Sequence, residues 1–285
     1  RDFCRSRGLG EVYKRQVITS FGFSHSTSAT PEDDRAAFTN FFTNRFSNIE
    51  TAEYINGVYA LDVAQREQWQ EIEEFPPYEL DIDEGETLYQ TPFANGKTYS
   101  SCFGSDTSSI RGKYPNWDAK KEMVVTLELD INNCLTANGE KPLKYKKGKI
   151  AQLSAYIAMQ GRGNLIEVSI PSDSPKAMAA YEDGKEFFYS KRGQLNFSCA
   201  DCHMNNAGKN VRADRLSGAL GHTSHFPVYR SKWGELGTLQ RRFGGCNKNI
   251  RAKPFASQGE EYRNLEYFLA YMNNGLELNG PGARK

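Results

Sequence analysis

Two stretches of the 285-residue chain repeat each other, so whatever it folds into must contain one plan twice. GKEFFYSKRGQLNFSCADCH places Gly184 15 positions before Cys199, and GETLYQTPFANGKTYSSCFGSD places Gly85 17 positions before Cys102. Further on, KYPNWDAKKEMVVTLELDINNC lies beside HFPVYRSKWGELGTLQRRFGGC without a gap. Pro115 to Cys134 and Pro227 to Cys246 are both 19 positions, and Thr126-Leu127 falls on Thr238-Leu239. Each half then closes on an amphipathic stretch. Ile150, Leu153 and Ile157 are spaced for one helical face and stop at Gly161 and Gly163. Leu265, Phe268, Leu269 and Met272 fall at i, i+3, i+4 and i+7 and stop at Gly275. The Pro- and Ser-rich segment from Pro171 to Pro175 reads as a linker, which divides the chain into units 30–171 and 172–285.

The halves differ in what they can hold. Cys199-Ala200-Asp201-Cys202-His203 sets two thiols where both vinyl groups of one haem are reached, and the next residue offers its imidazole to the iron. A zinc site would need a second CxxC or paired histidines at finger spacing, and a thioredoxin-like site a βαβ pattern; the sequence offers neither. At the corresponding places the first half has Cys102, Ser105 and Asp106, so it lacks the second thiol and the imidazole. The expected fold is mainly α: two tandem cytochrome-c-like domains, only the C-terminal one binding haem, with one haem c per chain. Cys102 stands where a haem-linking cysteine would be, and Cys134 where Cys246 is. Such a fold brings these two positions to one pocket, so a Cys102–Cys134 disulfide is expected in an exported protein.

Several residues compete for the iron face opposite His203. Met204 adjoins His203 and cannot reach the other side, and Met272 lies on the apolar face of the last helix, where a core role is expected. His222 and His225 belong to a loop, where a histidine ordinarily faces solvent. Cys246, in RRFGGCN, follows two glycines that permit close approach and two arginines, Arg241 and Arg242, that favour its thiolate. A leftover cysteine in an exported protein calls for a role, and Cys246 is the chosen axial ligand.

Composition removes other classes. A formal net charge of +1 gives no reason to expect nucleic acid or an anionic membrane as partner, and no apolar run is long enough to span a bilayer. Residues 1–16, with EVYKRQ, resemble the translation of a sequencing adapter and read as an artefact that removes Cys4 from consideration. Residues 17–29, VITSFGFSHSTSA, read as the remnant of a secretory signal with Ala29 at the cleavage position. Attachment of c-type haem outside the cytoplasm points the same way, to the periplasm.

From about Tyr78 to Arg284 the chain closely resembles the SoxA family, the catalytic subunits of the SoxAX cytochromes of bacterial thiosulfate oxidation. The strings that carry the resemblance are KRGQLNFSCADCH, NAGKNVRADRLSG, HFPVYRSKW, RRFGGCNKNIRAKPF and NLEYFLAY. The resemblance implies that Cys246 ligates the haem and occurs as a persulfide, and that Arg242 contacts the substrate. It implies L-cysteine S-thiosulfotransferase activity, in which thiosulfate is joined oxidatively to a cysteine of the carrier SoxY, in SoxYZ, and electrons pass through the haem to SoxX. Ser105 and Asp106 make the chain similar to the monohaem form of the family. Arg242 suits a dianion as a planar two-pronged donor, and Arg251 and Lys253 either add to that field or are solvated surface charges. Two other functions remain open at this stage: a plain electron-transfer cytochrome c, which needs a Met or His ligand, and a thiosulfate dehydrogenase, which needs no carrier.

Overall fold

The structure is a computed structural model that describes residues 29–285. The adapter-like stretch 1–16 and the signal-like stretch up to residue 28 lie outside the described residues. The helices are α1 (Pro31–Arg45), α2 (Val63–Glu74), α3 (Glu79–Gln90), α4 (Ser100–Phe103), α5 (Leu127–Ala137), α6 (Lys149–Gln160), α7 (Pro175–Tyr189), α8 (Leu239–Asn249) and α9 (Glu260–Met272). Short strands form two hairpins in corresponding places, β1 (Asn116–Asp118) with β2 (Met123–Val125), and β5 (Val228–Arg230) with β6 (Glu235–Gly237). The small ladder of β3 (Asn210–Val211) and β4 (Asp214–Arg215) follows the haem motif, and β7 (Gly282–Arg284) adds in parallel to β5.

A glycine sets the central helix crossing of each half. A Cβ on Gly85 in α3 would lie 2.2 Å from the carbonyl oxygen of Gln152 in α6, and a Cβ on Gly184 in α7 would lie 2.0 Å from that of Asn264 in α9. Both are far inside van der Waals contact, so each helix pair approaches as closely as it does only because these two residues have no side chain. The apolar faces read from periodicity close over these crossings. Ile150, Leu153 and Ile157 are buried in one core with Leu127 and Ile131, while Leu265, Phe268, Leu269 and Met272 are buried in another with Tyr181 and Phe188. The proline of the expected linker, Pro175, is the first residue of α7, whose N-cap Ser174 accepts from the Ala177 amide at 3.2 Å.

The two halves clasp each other. Hairpin β1–β2 packs on α7 and α9 of the second half, where Val124 enters its core, and β6 packs on α6 of the first half, where Leu236 meets Ala151 and Ala155. Between them lies a buried polar seam with repeat symmetry. Ser154 Oγ on α6 donates to Glu128 Oε1 on α5 at 2.9 Å, and Gln240 Nε2 on α8 donates to Glu266 Oε2 on α9 at 3.1 Å. The alignment sets Glu128 opposite Gln240, so donor and acceptor have changed places between the halves. Gln258 crosses the seam: its side-chain oxygen accepts from Thr126 Oγ at 2.9 Å, and its amide donates to Gln240 Oε1 at 2.6 Å.

The sequence assigns residues 30–171 to one unit, but residues 31–60 pack with the second. Phe38, Phe42 and Tyr54 are buried in the core built around α7 and α9. Asp34 accepts from Tyr181 Oη at 2.8 Å and pairs with Lys185 at 2.5 Å. The receiving surface is again opened by glycines: a Cβ on Gly218 would meet the Phe42 ring at 2.9 Å, and one on Gly221 the Tyr54 carbonyl oxygen at 2.0 Å. A division drawn along the chain cannot register that packing, because both partners of each contact are distant in sequence.

Candidate functional site

The CADCH segment is organised by its own side chains. Ser198 Oγ accepts from the Asp201 amide at 3.0 Å while Asp201 Oδ2 accepts from the Ser198 amide at 2.9 Å, a reciprocal pair that closes the turn at Cys199 and Ala200 leading into the π-helical turn Asp201–Asn205. That turn projects His203, whose Nδ1–H donates to the Ser217 carbonyl oxygen at 3.0 Å. With its proton committed there, the imidazole presents the lone pair of Nε2, the state a metal ligand requires. Ser217 is itself held, its hydroxyl 2.9 Å from His222 Nε2, and the Ala219 amide donates to the His203 carbonyl oxygen at 2.9 Å.

Helix α8 carries the third thiol to this place. Thr238 is its N-cap, Arg242 hydrogen-bonds back to it, and Cys246 follows one turn later, so Arg242 and Cys246 share a helix face. The thiols are in contrasting environments. Burial pushes the Cys199 thiol up to about 12, and burial likewise raises Cys202. Burial acts against ionisation at Cys246 as well, but the Arg242 guanidinium, the neighbouring His203 and the charge of Arg230 outweigh it and bring that thiol down to about 7. Two neutral thiols therefore flank an imidazole, and the readily ionised thiol lies against that imidazole.

This donor set fits a c-type haem: two thiols for the covalent links, an oriented imidazole, and a thiolate on the same spot. Two further observations agree. Gly244 and Gly245 precede Cys246, and a Cβ on either would make only ordinary van der Waals contact at 3.9 Å, so crowding within the chain does not call for a glycine at either position. Arg192, whose charge acts on Cys199, has its Nε buried without a hydrogen-bond partner, a cation suited to a carboxylate such as a haem propionate.

The other sequence candidates separate cleanly. Met204 and Met272 are core residues. The loop histidines do not face solvent as the sequence led us to expect. His225 is buried, stacked on Phe226 at 5.2 Å, and His222 packs edge-on to His203 at 4.4 Å; burial holds both imidazoles well below their usual value. Arg251 and Lys253 are exposed beyond the end of α8, and the largest positive influences on Cys246 come instead from Arg242, His203 and Arg230. Arg230 was missed. It ends β5, its Nε donates to the Lys285 carbonyl oxygen at 2.7 Å, and its guanidinium lies 5.3 Å from the centre of the Trp233 ring. Its signal was in the repeat: the register that aligns Asp130 with Arg242 aligns Asp118 with Arg230. In the first half, Cys102 on α4 and Cys134 on α5 are joined by a disulfide with a Cα separation of 6.1 Å. Asp106, at the place of His203, accepts from the Ser108 amide at 2.9 Å.

Comparison with known proteins places this geometry. Residues 84–166 and 183–278 match the family model "SoxA/TsdA, cytochrome c domain", one segment in each half. The L-cysteine S-thiosulfotransferase subunit SoxA of Allochromatium vinosum is 60% identical over 259 residues, covering 91% of this chain and 92% of its own. The SoxA of Chlorobaculum tepidum is 55% identical over 90% of this chain and 89% of its own. Among solved structures, SoxXA from P. pantotrophus superposes with a TM-score of 0.70 at 29% identity, covering 77% of this chain and 84% of that one. With two cytochrome c segments, and relatives that match along nearly their whole length, the chain belongs to the SoxA family of L-cysteine S-thiosulfotransferase subunits.

Proposed function

We propose that the chain binds one haem c, attached through Cys199 and Cys202 with His203 and Cys246 as axial ligands, and that it joins thiosulfate to the cysteine of a SoxYZ-type carrier in the periplasm. The observation that carries this reading is that Cys246, with Arg242 one turn before it on α8, lies beside the oriented imidazole of the haem motif, with Arg230 adding charge from the neighbouring hairpin. Forming the bond between the carrier sulfur and the outer sulfur of thiosulfate releases the thiol proton and two electrons. Bound haem would supply one-electron acceptance, with the electrons leaving to a SoxX-type cytochrome subunit.

The chain's own residues account for the rest. Arg242 offers a planar fork of donors to the sulfonate oxygens of the dianion, and Arg230 adds positive charge from the neighbouring hairpin. His203 is held in one orientation by Ser217, so the ligand atom cannot rotate away. Cys246 supplies the sulfur beside which the chemistry occurs, as thiolate or persulfide. A plain electron carrier would use a methionine or histidine ligand; Met204 and Met272 are committed to the core, His222 Nε2 is taken by the Ser217 hydroxyl, and His225 stacks on Phe226. Thiosulfate dehydrogenase differs in its demand for a partner. The holoprotein with its cytochrome partner should oxidise thiosulfate only when the carrier is present and leave the carrier cysteine heavier by one thiosulfate; turnover of thiosulfate alone would reject the transferase reading.

A further inference from the structure

In a chain of net charge +1, the segment KPLKYKKGK (residues 141–149) contains five lysines and no acid. Lys141, Lys144, Lys146, Lys147 and Lys149 are all exposed. The segment is fixed in position. The Leu143 amide donates to Asn132 Oδ1 at 2.7 Å, and Asn132 Nδ2 donates back to the Leu143 carbonyl oxygen at 2.9 Å, which ties the segment to α5. From the other half, Thr238 Oγ donates to the Tyr145 carbonyl oxygen at 2.9 Å and the Thr238 amide to that of Lys146 at 3.2 Å. Thr238 is the N-cap of the helix that carries Arg242 and Cys246.

A line of contacts continues the positive surface to the site. Lys147 Nζ lies 2.8 Å from Glu235 Oε1, and the same oxygen lies 3.1 Å from Arg241 Nη2. Arg241 covers the Trp233 ring at 4.2 Å, and Arg230 lies against that ring at 5.3 Å. Of the nearby acids, Glu235 serves two cations, while Glu140 accepts from the Ala94 amide at 2.9 Å and keeps its charge at the edge of the segment. At about 1.5 Å of rise per residue, the anchoring Thr238 is roughly 12 Å along α8 from Cys246. That is a span a docked protein covers readily.

We propose that the basic segment 141–149 is a docking surface for an acidic face of the protein that brings the acceptor thiol to Cys246. The inference rests on the transferase reading above. A fixed array of lysines, four of the five outside any ion pair, guides an oppositely charged partner and fixes its approach, and such steering changes association by factors of about ten or more and weakens with salt. Lys147 is excluded from the test because it pairs with Glu235.

The test replaces Lys141, Lys144, Lys146 and Lys149 together by glutamine in the holoprotein bound to its cytochrome partner. Steady-state turnover is followed against SoxYZ carrier and against thiosulfate at several salt concentrations. The expected result is a carrier KM at least about tenfold higher at low salt, with a flatter salt dependence. The thiosulfate KM and the haem spectrum should match wild type. An unchanged carrier KM and salt slope would overturn the docking surface while leaving the transferase reading standing. A raised thiosulfate KM with an unchanged carrier KM would overturn it in favour of small-anion steering. Wild-type turnover without carrier would overturn the transferase reading and this inference together.

Discussion

The two halves share an architecture and differ at a handful of positions that decide which of them can do chemistry. Helices α5 and α8 both begin at a threonine and end just past a cysteine, and both follow a hairpin of the same register. In the second half that cysteine is an acidified thiol with arginines at positions 230 and 242. In the first it is bonded to Cys102, and the same two positions hold Asp118 and Asp130. Each aspartate is occupied locally: Asp130 accepts from Tyr114 Oη at 2.6 Å, and Asp118 accepts from the amides of Lys120 and Lys121 at 2.9 and 3.1 Å. One plan thus has a cross-linked, negatively lined version and an open, positively lined one. Retaining the first costs the protein little, because its hairpin and α6 form part of the surface on which the second is built.

The comparison can be broken most forcefully at the disulfide. Removing it with Cys102→Ser and Cys134→Ala reopens a loop whose ends are 32 residues apart, which the chain-entropy model values at roughly 3–4 kcal/mol. Thermal unfolding should show a lowered midpoint with the haem spectrum intact. Full stability in the double variant would show that the first half does not depend on the cross-link.

Charge at the site gives the next largest effect. Losing a charge-assisted contact costs about 1.5–3 kcal/mol, so Arg242→Ala should slow thiosulfate conjugation at least about tenfold with haem retained. Arg230→Gln should lower the rate less, because that guanidinium is also held by the Lys285 carbonyl and Trp233. Equal losses, or none at Arg242, would mean that the reversal of charge between the halves has no catalytic meaning.

A slope in pH, rather than a single loss, tests the seam. Burial raises the Glu266 carboxyl to about 8, with Glu128 reinforcing the rise and Arg111 and the hydrogen bond from Gln240 opposing it. A carboxyl that holds its proton more tightly folded than unfolded contributes stability in full below the ordinary value of 4.5, and that contribution is lost as pH rises through about 8. The slope is at most about 1.4 kcal/mol per pH unit. Glu266→Gln, like the glutamine already at position 240, should flatten the fall in unfolding midpoint between pH 5 and 8. A wild-type slope retained in the variant would place the titrating group elsewhere.

What the sequence made legible was whatever spacing alone encodes. Gly85 and Gly184 stood out as the starts of the two repeats, and the structure shows each at a helix crossing. Helical periodicity marked the buried faces of α6 and α9, and the run from Pro171 to Pro175 marked the start of α7. Contacts between distant segments were not legible. Nothing local tells that Phe38 and Phe42 close over the second core, or that His222 and His225 turn inward, since the glycines that admit those aromatics lie more than 150 residues away. Arg230 was within reach of the repeat, because the gapless register that sets Asp130 against Arg242 sets Asp118 against Arg230 12 positions earlier. The seam of Glu128 and Glu266 needs three dimensions, since each residue on its own reads as part of an amphipathic helix.

The central claim is that Cys246 is both the axial thiol and the place of sulfur chemistry. It is tested most directly by Cys246→Ala in the holoprotein bound to its cytochrome partner, with the haem absorption and spin-resonance spectra recorded beside turnover with SoxYZ. The account predicts that the thiolate signature and the thiosulfate-dependent turnover disappear together while Cys199 and Cys202 keep the haem attached. A variant with the wild-type spectrum and wild-type turnover would contradict both assignments.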